Sequence, residues 1–105
     1  MSLRIDKVNS LVAAELKTAL AKELGGGDEF ATVLSVETSA DLRHATCWIS
    51  TIPDTDQAWQ AVEDVRPDLQ RYLAERLELK RTPVVALRRD RGGTRAGRIT
   101  EILKR

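Results

Sequence analysis

The chain has 105 residues, 42% hydrophobic and only 4% aromatic, which predicts one domain, residues 1–105, with a modest core of Leu, Val, Ile and Ala. The single cysteine, Cys47, excludes an internal disulfide and a multi-cysteine zinc site. No apolar run approaches the roughly 20 residues that cross a bilayer, and MSLRIDKVNS has no signal-peptide core, so a cytoplasmic protein without membrane contact is expected; a monomer without cofactor or metal is a separate expectation. A net charge of +1 conceals a division: residues 1–79 hold 8 basic and 14 acidic side chains, whereas residues 80–105 hold 9 basic and 2 acidic. A basic end faces polyanions, of which nucleic acid is the commonest.

Residues 4–24 read as a helix. Ile5, Val8, Val12, Leu16 and Leu20 recur at steps of three or four and share one face, with Leu11 and Leu24 beside it. Gly25 ends the helix, and Lys22 suits the negative end of its dipole. The letters of Gly26-Gly27-Asp28-Glu29-Phe30 spell the signature of diguanylate cyclases. In that family the string sits on a hairpin of a much longer domain; here it follows a helix directly, and a loop is predicted.

Residues 31–38 form a strand, Ser39-Ala40-Asp41-Leu42 a turn, and residues 44–52 a second strand. Ala45, Cys47 and Ile49 alternate with Thr46, Trp48 and Ser50, so the first three face the core and Trp48 the opposite side. Cys47 is then a small buried hydrophobe. Asp54 is expected to cap the next helix, with Gln57 completing a capping box. Ala58, Val62, Val65, Leu69, Leu73 and Leu77 carry one apolar stripe straight through Pro67. Proline is costly inside a helix and costs little at its start, so two helices sharing a buried face, with a bend near Arg66–Pro67, are predicted. Trp59 belongs with the core; Tyr72 flanks it and extends its hydroxyl to solvent. Thr82 before Pro83 is extended, Val84–Arg88 is a third strand, Asp90-Arg91-Gly92-Gly93 a turn, and residues 95–104 a short last helix. A helical crossover between the second and third strands permits parallel pairing. The result is an α+β domain with helices on one face of a three-stranded sheet.

Several strings resemble the ribosome-binding factor A family. Val36-Glu37-Thr38-Ser39-Ala40-Asp41-Leu42-Arg43-His44-Ala45-Thr46-Cys47-Trp48-Ile49-Ser50 is similar to its V-x-x-S-x-D-L-x-x-A-x-V-x-V-S hairpin. Arg4-Ile5-Asp6-Lys7-Val8 resembles its opening, the stretch from Leu77 to Leu87 its L-x-L-R-x-x-P-x-L-x-F passage, and Ala96–Leu103 its closing helix. The resemblance covers nearly the whole chain. It implies a type II KH-like fold and a non-catalytic factor that binds the immature small ribosomal subunit and assists maturation of its rRNA. Where the family has Ala-x-Gly at the interhelical bend, this chain has Val65-Arg66-Pro67, and the family's loop before the first strand is replaced by the glycine run.

The residues themselves point to a binder, since one histidine and one cysteine offer no nucleophile–base pair. Lys80, Arg81, Arg88, Arg89, Arg91, Arg95 and Arg98 are the candidate phosphate contacts, with Arg66 at the bend and Arg4 and Lys7 on the opening turn behind them. Arginine suits this task because its planar fork grips phosphate oxygens in pairs. No Gly-x-x-Gly lies between the central helices, so backbone and shape recognition is expected, not the reading of a short sequence. The alternative is a protein-interaction module whose basic end binds an acidic protein and no RNA.

Overall fold

The computed structural model of the chain describes residues 3–25 and 31–90. The elements are α1 (Leu3–Leu24), β1 (Ala31–Thr38), β2 (His44–Thr51), α2 (Asp56–Asp64), α3 (Arg66–Arg76) and β3 (Val84–Arg89). They form an α+β arrangement whose sheet runs β1-β2-β3, with β1 antiparallel and β3 parallel to β2. The last helix expected at residues 95–104 and the loop at residues 26–30, with its cyclase-like letters, lie outside the described residues.

The core is the meeting of the stripes read from the sequence. Val8, Val12, Leu16, Ala19 and Leu20 of α1 are buried with Ala45, Cys47 and Ile49 of β2, and with Val62, Leu69, Leu73 and Leu77 from the central helices and the residue after them. Trp59 and Tyr72 pack partly against this cluster. Two cations lie over the Tyr72 ring, Lys22 Nζ at 5.9 Å and the Arg76 guanidinium at 5.3 Å from its centre. Gly25 has φ +69°, and a Cβ there would meet nothing within 4 Å. Its place at the end of α1 thus follows from backbone conformation, not lack of space.

β1 departs from strict alternation. Ala31, Val33 and Val36 all face inward, although Val33 and Val36 are three apart. The pairing shifts between Val33, opposite Ile49, and Ser35, opposite Trp48. Leu34 is therefore the extra residue of a β-bulge, which returns Val36 to the core face.

The break between the central helices falls at Val65, which has φ −94° and ψ 2° and ends α2 as it begins α3; Pro67 sits in the first turn of α3. The expected cap on α2 is corrected. Thr55, not Asp54, is the N-cap, and its Oγ1 accepts the Ala58 N–H at 3.1 Å. Asp54 serves elsewhere, as described below.

One side chain fastens β3 to the helices. Gln70 Nε2 donates to the Pro83 carbonyl at 2.9 Å, while Gln70 Oε1 accepts the Val85 N–H at 2.8 Å. Gln70→Leu leaves both backbone groups without these partners in a half-buried place. It is expected to lower stability by about 1–3 kcal/mol and to speed hydrogen exchange at the Val85 amide. Unchanged exchange there would refute the clamp.

Candidate nucleic-acid interface

Three distant segments meet at one end of the sheet, and the topology explains why. Asn9 of α1 accepts the Thr38 N–H at 2.9 Å and also the Thr38 hydroxyl. Thr38 is the last residue of β1, so the beginning of α1 lies beside the β1–β2 hairpin. Because β3 runs parallel to β2, its first residue also starts at that end: the Val84 N–H donates to the Arg43 carbonyl at 2.8 Å. Arg4, the hairpin residues Asp41, Leu42 and Arg43, and Leu79, Lys80 and Arg81 from the α3–β3 connection line one cleft of about 430 Å³.

The hairpin is closed by hydrogen bonds of its own residues. Asp41 Oδ1 accepts the Ser39 hydroxyl at 2.6 Å and the Arg43 N–H at 3.0 Å. Ser39 Oγ accepts the His44 N–H at 3.1 Å, and the Ser39 N–H donates to the His44 carbonyl at 2.8 Å. Leu42 is thereby held at φ +61°, a left-handed conformation uncommon for a branched apolar residue. Its side chain nevertheless packs against the core. The S-x-D-L string is thus the chemistry of a turn that presents Arg43 and one wall of the cleft.

The Ser39 hydroxyl, and next the Arg43 N–H, hold the Asp41 carboxyl below its ordinary value. A carboxylate whose folded pKa is depressed adds stability above the unfolded pKa, and that stability is lost as pH falls through the folded one. Asp41→Asn is therefore expected to melt with a weaker dependence on acid than the parent chain, as followed by circular dichroism from neutral pH into the carboxylate range. An identical acid dependence would remove Asp41 from the account.

The cleft holds four exposed cations, Arg4, Arg43, Lys80 and Arg81, against one carboxylate, Asp41, already engaged in the turn. None of the four makes an ion pair among the described residues. The N-terminal end of α1 adds the positive pole of its dipole at the same place. Arg4, Lys80 and Arg81 were candidates from sequence; Arg43 was missed. It stands inside an otherwise acidic half of the chain, and only the parallel pairing of β3 brings it beside Arg81.

The other candidates are dispersed. Lys7 is exposed one turn beyond Arg4. Arg66 is half-buried as the first residue of α3, beside the break. Arg88 is exposed on the sheet, in register with Trp48 on β2. Arg89, a candidate phosphate contact from sequence, is held by two carboxylates. Its Nη1 donates to Asp56 at 2.7 Å and its Nη2 to Asp54 at 3.0 Å, and its side chain is only 11% exposed. Asp56 first, then Asp54, hold its guanidinium still more firmly protonated. The length of β3 sets Arg88 and Arg89 roughly 13–17 Å from the cleft end, so the basic run of the sequence is split into two places. Arg91, Arg95 and Arg98 lie outside the described residues.

Burial alone pushes the Cys47 thiol up to about 12, so it stays protonated and unreactive at neutral pH. Among the described residues no group of three or more His, Cys, Asp or Glu could hold a metal ion. No helix among them is long and apolar enough to cross a membrane.

Fold and cleft together define a small α+β protein: helices over one face of a three-stranded sheet, with a cationic groove at one end of it. The family model of ribosome-binding factor A matches residues 4–103, and the chain belongs to that family. Ribosome-binding factor A of Chlorobium luteolum is 34% identical over 109 residues, covering 99% of this chain and 92% of the relative. That of a Synechocystis strain is 32% identical, covering 97% and 81%. Among solved structures, ribosome-binding factor A from Thermus thermophilus aligns with a TM-score of 0.56 at 24% identity, over 77% of this chain and 94% of that one, a likeness of fold. A homology model of the Thermus thermophilus factor, fitted into a cryo-electron-microscopy map of a 30S complex, aligns with a TM-score of 0.57 at 25% identity, over 76% and 92%.

Proposed function

We propose that this chain is a non-catalytic assembly factor of the cytoplasm, which binds the immature small ribosomal subunit as a monomer and assists maturation of its rRNA. The observation that carries the reading is the convergence of Arg4, Arg43, Lys80 and Arg81 in one cleft. Clustered cations displace condensed counterions from a phosphate backbone, which makes binding strong and salt-dependent. Family membership supports the same partner, since the Thermus thermophilus relative is placed in a 30S complex. Residues 1–105 act as one KH-like domain, with Lys7, Arg66 and Arg88 as outer contacts and Arg91, Arg95 and Arg98 as further cations of the basic end.

The test is sedimentation of a cell lysate on a gradient at low and at raised salt. The protein is expected to travel with free small subunits and to leave them as salt increases. A protein that stays at the top at low salt, or that is captured instead by an acidic protein, would overturn the proposal.

A further inference from the structure

We infer that the cleft between the α1 start, the hairpin and the α3–β3 connection receives one unpaired nucleotide of RNA, its phosphates on the cations and its base against Leu42 and Leu79. This rests on the reading of the chain as an rRNA binder and specifies which RNA it takes and where. A volume of about 430 Å³ lies within the roughly 300–1,000 Å³ of sites that enclose a small ligand. A duplex offers its phosphates on a broad convex surface with the bases stacked inside, and its bases cannot enter such a recess; unpaired RNA can splay a base out.

The lining has the two chemistries a nucleotide needs. Three arginines and one lysine line the cleft, and guanidinium matches phosphate oxygens in pairs. Leu42 and Leu79, both half-buried and packed against the core, give it an apolar wall that is already fixed before binding. Leu42 is held there at φ +61° by the Ser39–Asp41–Arg43 hydrogen bonds, and backbone strain of this kind collects at binding sites. A purely acidic peptide such as polyglutamate would use the cations but not the wall.

Fluorescence anisotropy with a short labelled single-stranded RNA tests this, read against its duplex, a strand of equal length with abasic residues, and a polyglutamate peptide. The single strand is expected to bind tightest, and the abasic strand several-fold more weakly with the same salt slope. Lys80→Ala with Arg81→Ala should reduce the slope of log K against log salt by about 1.4, at about 0.7 for each phosphate no longer neutralised on a single strand. Arg71→Ala, which removes an exposed cation paired with Asp68 away from the cleft, should change neither. Equal binding of duplex, abasic strand or polyglutamate would overturn the inference, as would an unchanged slope in the double variant. Its failure is separable from that of the proposed function. Co-sedimentation of the parent chain with small subunits, together with an unaffected double variant, would retain the partner and reject the cleft.

Discussion

Charge reversal of the cleft, with Arg43→Glu, Lys80→Glu and Arg81→Glu combined, is expected to abolish co-sedimentation with small ribosomal subunits at physiological salt. All three side chains are exposed and make no ion pair among the described residues, so the fold should tolerate the change and the melting temperature should stay close to that of the parent. A unit charge beside a phosphate in high dielectric is worth about 1 kcal/mol. Loss of three such interactions weakens binding by roughly two orders of magnitude before any repulsion is added. Retained co-sedimentation with a parent-like melt would show that the subunit is gripped elsewhere. The pair Arg88 and Arg89 at the end of β3 is a poorer choice for this test. Arg89→Glu would place a carboxylate against Asp54 and Asp56, and the loss of an ion pair would then mix stability with binding.

Leu69→Ala is expected to cost about 2–5 kcal/mol of unfolding free energy, the range for emptying a well-packed leucine site. Leu69 is 0% exposed and sits in the first turn of α3, immediately after the break. It joins the central helices to the core formed by α1 and the sheet. Because domains of this size have only about 5–15 kcal/mol in total, the urea midpoint should fall steeply while the denaturant slope stays constant. Leu11→Ala, on the 41% exposed flank of α1, should be close to neutral by the same measurement. A loss below about 1 kcal/mol at Leu69 would mean that the cavity closes, or that α3 is less firmly seated than its burial indicates.

Much of this architecture could be read before any coordinates. The stripe through Pro67 predicted two helices with a common buried face, and the break at Val65 agrees because a proline near a helix start forfeits no needed hydrogen bond. Alternation placed Cys47 inside, and it is fully buried. The bulge at Leu34 was not foreseen, because an inserted residue disturbs the very alternation used to recognise a strand. The cap of α2 moved from Asp54 to Thr55 because both are good capping residues one position apart. Asp54 is instead drawn to Arg89, a partner 35 positions away.

Hydrophobic period, turn residues and the proline break are local properties. The amino-acid order was therefore enough for the elements, the inward faces and the kinship with ribosome-binding factor A. Which cations act together is not local. Lys80 and Arg81 are separated from Arg88 and Arg89 by the length of a strand, while Arg4 and Arg43 are carried to them by the α1 contact at Thr38 and the parallel register of β3. Charges interact through space over about a Debye length, so chain folding, not position along the chain, assembled the cleft and neutralised Arg89.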